Sequence, residues 1–348
     1  MGQRYFIGVD LHKSVIQACV LDGTGELVEE LRRRYDSREE GLGIVEELSA
    51  WKEGGRFAVE AVGLNRWFVH ACREAGLDIV VVDAVKLNLR MLGKKTDRRD
   101  AYEIARRLWM GDIDRNAKTY YPTDEEYGHR KLLRVRHKLV SIRQQLVNQI
   151  RAFLNAYRVD GLGSCLYTPR ALARLRACRF PTPEMDGVFG VLVDTLEATQ
   201  GSIDELTRKI GERAKKDEGV SALVSLLPSV GPQTAMTLVH ELGDVRRFRN
   251  ARAVACYAGL VPRVANSADK SHHGRVTKRG NPELRWILGQ WAVRLMSRDE
   301  RVQSWAIPRL RRMHKNKVRV TLARRLLVGV YIMLTRGEMF DLGKCLAN

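Results

Sequence analysis

The chain has 348 residues, enough for two domains that each bury a core. Its hydrophobic fraction of 45% and aromatic fraction of 7% are ordinary for a soluble globular protein. Sixty Lys and Arg against 41 Asp and Glu give a formal net charge of +19, a surplus that suits a polyanion, although its sign alone does not choose between nucleic acid and an anionic membrane surface.

The most apolar run, 326–334, is too short to cross a bilayer and lies between Arg325 and Arg336, so no membrane segment is expected. The N-terminus opens straight onto a strand-like run without an apolar signal core of the secretory type, and a cytoplasmic location is expected. Cys19, Cys72, Cys165, Cys178, Cys256 and Cys345 form no CxxC pair and have no His cluster nearby. They read as free thiols in a reducing compartment, which argues against a zinc site or a disulfide framework.

Residues 5–9 are apolar and β-prone and end at Asp10. A second strand over 16–21, a turn at 22–25 and a third strand over 27–33 complete a meander. Ser37 is placed to cap a helix over 38–51. A strand over 56–61, a helix over 65–75, a strand over 78–82 and a helix over 98–110 follow. Three strands and then alternating helix and strand predict an α/β domain with a mixed sheet, 1–125.

The middle region, 126–220, changes character. Leu132, Val135, Leu139, Ile142, Leu146, Ile150, Phe153 and Tyr157 alternate three- and four-residue steps, the seam of a long coiled-coil helix. No Asp or Glu occurs between His129 and Arg158, so its other faces are basic. A second seam runs through Val188, Leu192, Thr195, Thr199, Ile203, Leu206 and Ile210, and the piece between, with Gly161, Gly163, Pro169, Pro181 and Pro183, reads as a connection. An antiparallel hairpin and a dimerising coiled coil both fit. The C-terminal region, 221–348, is mainly helical, with helices expected over 233–241, 251–257, 282–296 and about 302–334, and no acid between Arg301 and Arg336.

Three constellations carry chemistry. Asp10 and Glu60 stand at the ends of strands that would share a sheet edge, and Asp97 and Asp100 share one face at a helix start. Such hard oxygen donors suit Mg²⁺ or Mn²⁺, and a two-metal site of that kind serves phosphoryl transfer. Asp97 and Asp100 read equally well as capping charges, whereas an acid closing an apolar strand ahead of Leu11-His12-Lys13 has no obvious packing purpose. The second is the turn Pro228-Ser229-Val230-Gly231-Pro232 before a helix, resembling a helix-hairpin-helix turn whose free N–H groups meet a phosphate. The third is the loop 257–281, where Ser267 stands among Arg263, Lys270, Arg275, Lys278 and Arg279. A serine hydroxyl attacks a phosphate only with help, and dense cations would stabilise the charge that develops there. As bare chemistry, the loop reads as a phosphate contact.

Phe6-Ile7-Gly8-Val9-Asp10-Leu11-His12-Lys13, Val59-Glu60 and Lys95-Thr96-Asp97-Arg98-Arg99-Asp100-Ala101 resemble the DEDD-type transposases of bacterial insertion sequences. The C-terminal half carries that family's Pro-x-x-Gly-Pro turn, then Ala-Gly-Leu-x-Pro with a serine five residues after the Pro, then Lys, Gly-Arg and Lys-x-Gly-Asn. The resemblance spans nearly the whole chain, to Ala323-Arg324-Arg325-Leu326-Leu327, and departs where Ala268-Asp269 replace a common Gly-Gly. It implies an RNase H-like (RuvC-like) N-terminal domain, a coiled-coil helical insertion and a C-terminal transposase domain. It also implies metal on Asp10, Glu60, Asp97 and Asp100, and Ser267 as a covalent nucleophile with Ser271 as rival and His272 or His273 as proton acceptor. Lys13, Gly231 and the loop cations would touch nucleic acid. The implied partners are donor and target DNA, a structured bridge RNA that supplies sequence by pairing, and further copies of the chain as a dimer of dimers, in a nucleoid-associated cytoplasmic setting. The alternatives are a RuvC-like junction-resolving nuclease that uses water and a non-catalytic nucleic-acid binder. Four ordered acids would weaken the latter unless a cation screened them from phosphate.

Overall fold

In the computed structural model, which describes residues 4–83, 97–161, 163–267, 270–276 and 280–347, alternation along the first strand sorts two layers. β1 (Tyr5–Leu11) sends Ile7, Val9 and Leu11 into one buried cluster with Ile44, Val45, Phe68 and Val69. Phe6 packs on the opposite face, among Cys19, Leu21, Ala58, Ala101 and Ala105. β2 (Val15–Asp22) and β3 (Leu27–Arg34) continue antiparallel as a meander, while β4 (Gly55–Glu60) and β5 (Asp78–Val82) add in parallel on the other side of β1. The resulting order, β3-β2-β1-β4-β5, is the mixed sheet of the RNase H-like fold that the sequence implies. β3 is one edge, and its exposed charges, Glu29, Arg32, Arg33 and Arg34, discourage pairing with another chain.

α1 (Arg38–Leu48) starts as expected, with Ser37 Oγ accepting from the Glu40 N–H at 3.1 Å, and tightens into a 3₁₀ turn over Ser49–Trp51. α2 (Arg66–Glu74) joins it on one face of the sheet. α3 (Asp97–Trp109) covers the other face and lies unusually close. A Cβ on Gly8 would stand 2.2 Å from the Ala101 carbonyl oxygen and 2.3 Å from the Ala105 nitrogen, so strand and helix meet backbone to backbone. At the far end of α3, the Trp109 ring lies against Gly25, and its Nε1 donates to the Gly23 carbonyl at 3.2 Å.

The chain divides into two compact units, Met1–Tyr121 and Pro122–Asn348. Among its described residues, the second unit is helical apart from one β-hairpin. α4 (Asp124–Ala156) opens on a capping box of Thr123 and Glu126. α5 (Pro169–Arg176) and α6 (Pro183–Lys216) follow. α6 returns antiparallel along α4: Arg136 bonds Thr207 at 2.7 Å, Arg143 bonds Gln200 at 2.7 Å, and the Phe153 and Phe189 rings are 5.4 Å apart. Of the two arrangements that fit the seams, the structure has the antiparallel hairpin within one chain.

Two expectations are corrected here. The piece between the seams contains a helix, because Pro169 and Pro183 each stand in a first helical turn behind a capping Thr168 or Thr182, where proline starts a helix rather than breaking it. The α6 seam holds at Thr199, Ile203 and Ile210, which are buried, but shifts in its first turns: Val188 is 56% exposed, while Phe189, Val193 and Leu196 are buried. An aromatic pocket of Phe153, Phe180 and Tyr157 near the hairpin tip takes Phe189 and sets that rotation.

α7 (Glu218–Leu226), α8 (Pro232–Leu242), α9 (Ala251–Tyr257), α10 (Pro282–Arg298), α11 (Glu300–Leu310), α12 (Lys315–Arg336) and α13 (Leu342–Leu346) enclose a core centred on the fully buried Trp291. The run expected over 302–334 is broken at 311–314, where His314 Nδ1 caps α12 by accepting from the Asn316 N–H at 3.2 Å. The stretch read as a loop contains paired strands, β6 (Pro262–Ser267) and β7 (Lys270–Val276). No helix among the described residues is long and apolar enough to cross a membrane.

Gly8→Ala forces a methyl group into main-chain atoms that cannot rotate away. It is expected to destabilise the first unit by about 1–3 kcal/mol or more. Thermal unfolding checks this; an unchanged midpoint would mean that α3 does not sit on β1 as described.

Candidate active site

The acids of the first unit gather at one end of the sheet. Parallel pairing sets Val9 opposite Val59, so the next residues, Asp10 and Glu60, lie at the same level near the ends of adjacent strands. The close seat of α3 on Gly8 brings the first turn of that helix, with Asp97 and Asp100, to the same end. Asp10 is 6% exposed. His12 Nε2 lies 3.0 Å from Asp10 Oδ2 and 3.3 Å from Asp97 Oδ1, and these three side chains each offer one donor atom within 4.8 Å of the others. Burial pushes the Asp10 carboxyl above its ordinary range; His12 opposes the shift, and the charges of Asp100 and Asp97 add to it. A buried carboxylate crowded by two more is the donor set that a divalent cation relieves. Asn65 holds the end of β4 by donating from Nδ2 to the Glu60 carbonyl at 2.8 Å.

The structure thus brings Asp10 together with Asp97, with Asp100 near enough for its charge to act on Asp10, and sets Glu60 level with Asp10 in the sheet. His12 joins the group although the sequence marked it only as a flank of Asp10. Lys13 is exposed beside it in the β1–β2 turn. Lys95 and Thr96 of the same motif lie outside the described residues.

In the second unit, Ser267 is the last residue of β6 and pairs with Lys270 across the hairpin end. Ser271 pairs with Asn266 one step back, Arg263 stands at a register shift between Pro262 and Val264, and Arg275 lies on β7. Lys278 and Arg279 lie outside the described residues. The base of this hairpin is gripped firmly. A Cβ on Gly280, whose φ is +112°, would come within 2.5 Å of the Tyr257 carbonyl oxygen, to which the Asn281 N–H donates at 2.7 Å. Asn281 Nδ2 donates at 2.6 Å to Glu241 Oε2, a fully buried carboxylate that also takes both arms of Arg134 at 2.8 Å. One turn along α4, His137 Nδ1 bonds Glu283 at 2.6 Å and its ring stacks on Trp286. Sequence reasoning missed Glu241 and Arg134, whose pairing joins residues more than a hundred positions apart.

The turn between α7 and α8 buries Leu227 and Val230 and carries Ser229 at φ +59°. Gly231 caps α8 with open space where a Cβ would point. Arg294 of α10 bonds Thr234 in the first turn of α8 at 2.8 Å, and burial together with the nearby Arg298 pushes its guanidinium below the ordinary arginine range. Arg294 thus stands beside the first turn of α8.

Comparison with known proteins adds two family matches. Residues 7–159 match a DEDD-type transposase family of the IS110 group, and residues 221–305 match the transposase IS116/IS110/IS902 family. The transposase for insertion sequence element IS1111A of Coxiella burnetii is 26% identical over 97% of this chain and 91% of its own length. The transposase for insertion sequence element IS1328 of Yersinia enterocolitica is 30% identical over 63% of this chain and 66% of its own. Among solved structures, Thermus thermophilus RuvC aligns with a TM-score of 0.26 and 13% identity, covering 33% of this chain and 99% of that one.

Two stability measurements follow from these geometries. A carboxyl that holds its proton more tightly in the folded chain contributes stability that is lost as pH rises from the ordinary aspartate range through the raised value, and stays lost at neutrality. Asp10→Asn is therefore expected to raise the cation-free melting temperature at pH 7 by a few degrees, with the gain vanishing in acid; a lowered midpoint would contradict the burial of an ionised carboxylate there. Arg134→Ala strands the buried Glu241 carboxylate and is expected to cost about 2–4 kcal/mol in denaturant unfolding, somewhat less than a wholly buried pair because Arg134 is itself half-exposed.

Proposed function

Because this chain belongs to the DEDD-type transposases of the IS110 insertion-sequence family, we propose that it cuts and exchanges DNA strands during transposition. The observation that carries this reading is the meeting of Asp10 and Asp97, 87 positions apart in the sequence, at the sheet end where α3 seats on Gly8 through a contact that tolerates no side chain there. Asp10, Glu60, Asp97 and Asp100 would hold Mg²⁺ or Mn²⁺, for which the donors are chemically suited. Such an ion supplies positive charge that polarises the scissile phosphate.

Ser267 supplies the nucleophile in this reading. Its Oγ attacks phosphorus and gives up its proton to His272, His273 or water; the bond to the leaving strand breaks, and the leaving deoxyribose oxygen takes up a proton. The phosphoserine retains the energy of the broken bond for rejoining. Its place as the last residue of β6, in register with Lys270 at a hairpin end, supports this assignment. Arg263, Lys270, Arg275, Lys278, Arg279, Lys13 and the Gly231 turn would contact nucleic-acid backbone.

The acid-free stretch from Lys131 to Arg158, most of it in α4, suits a second polyanion, a structured bridge RNA whose pairing selects donor and target DNA, with the protein acting as a dimer of dimers in the nucleoid-associated cytoplasm.

The test is a Mg²⁺-dependent recombination assay with donor DNA, target DNA and RNA transcribed from the element's flank, resolved on a denaturing gel. Wild type is expected to form a covalent protein–DNA adduct that Ser267→Ala abolishes, and Asp10→Asn is expected to stop cleavage. Cutting that survives Ser267→Ala but not Asp10→Asn would make the chain a nuclease that uses water.

A further inference from the structure

We infer that His12 is a direct cation ligand, completing with Asp10 and Asp97 a three-donor face that favours Mn²⁺ over Mg²⁺. The inference rests on the reading of the acids as a cation site and adds a nitrogen donor to it. Neighbouring donors on one octahedral ion with bonds of about 2.1 Å stand about 3 Å apart. His12 Nε2 hydrogen-bonds Asp10 Oδ2 at 3.0 Å and lies 3.3 Å from Asp97 Oδ1, separations that also match neighbouring donors on one shared ion. A lone surface histidine attracted to an acid would meet one carboxylate; this one bridges two that come from different elements, β1 and the start of α3.

The residue is also held in place from behind. Its N–H donates to the Val15 carbonyl at 2.9 Å, and its carbonyl accepts from the buried Tyr35 hydroxyl at 2.6 Å. Tyr35 is itself packed against Trp67, with ring centroids 5.4 Å apart. Both main-chain groups of a turn residue are thus fixed, while its side chain remains 48% exposed and open to an ion arriving from solvent. Fixing a ligand's backbone from a second layer is how metal sites hold first-layer geometry. An imidazole nitrogen is a softer donor than carboxylate or water, so its presence benefits Mn²⁺ more than Mg²⁺, which prefers an all-oxygen shell.

The experiment is pulsed electron paramagnetic resonance on the full chain loaded with Mn²⁺, beside titrations of Mn²⁺ and Mg²⁺ binding, for wild type, His12→Ala and Asp10→Asn. Wild type is expected to show nitrogen coupling from one bound imidazole, which changes isotope pattern when histidine is labelled with ¹⁵N. His12→Ala is expected to lose that coupling while still binding Mn²⁺ about tenfold more weakly, with a smaller loss for Mg²⁺. Mn²⁺ bound by wild type without nitrogen coupling, or coupling that survives His12→Ala, would overturn the inference and leave the acid site standing. Wild type that binds no Mn²⁺, or binds it equally after Asp10→Asn, would overturn the acid site as well.

Discussion

The contact between Gly8 and the Ala101–Ala105 stretch is the constraint from which the geometry of the first unit follows. A strand and a helix usually meet through side chains and stand roughly 10 Å apart, as other packed layers do. Here the absence of a side chain at Gly8 lets main chain meet main chain, and Ala58, Cys19, Ala101 and Ala105 keep the surrounding surfaces small. The helix start is drawn down to the sheet end as a result. Acids from one strand and from a helix far along the sequence then share one small volume, at the expense of crowding Asp10.

The second unit solves a different problem, that of holding a short polar hairpin steady. Two-stranded hairpins are marginal by themselves. This one has its downstream end clamped through Asn281, whose side chain caps α10 with one atom and reaches Glu241 with the other. Because Arg134 and His137 lie a turn apart on α4 and both hold groups around the start of α10, the long helical arm and the hairpin base share one rigid foundation.

Much of this was legible in the sequence for reasons that are local. Asp10 is conspicuous because nothing in packing asks for an acid after Phe6-Ile7-Gly8-Val9, and the Asp22–Gly25 turn and the Ser37 cap use side chains that bond their own neighbours. Residues whose meaning depends on a distant partner were illegible. His12 looks like a polar turn residue until α3 is set beside it, and Glu241 looks like a helix-surface acid until Arg134 arrives from α4. The prolines near 169 and 183 misled because their effect depends on whether a capping side chain precedes them, and only the first turns of the α6 seam shifted, where the pocket for Phe189 is built by other segments.

The seat of α3 also orders events in time. In a chain made from its N-terminus, β1 through β5 emerge first, and α3, the helix that presses on Gly8, comes after all five strands. Domains fold as units during synthesis, so Asp97 cannot join Asp10 until the stretch through Trp109 has left the ribosome. A nascent fragment that stops short of α3 carries only Asp10 and Glu60 of the four acids. It leaves the small-residue face of its sheet bare, and an apolar sheet face of that kind is what chaperones and proteases recognise in unfinished chains.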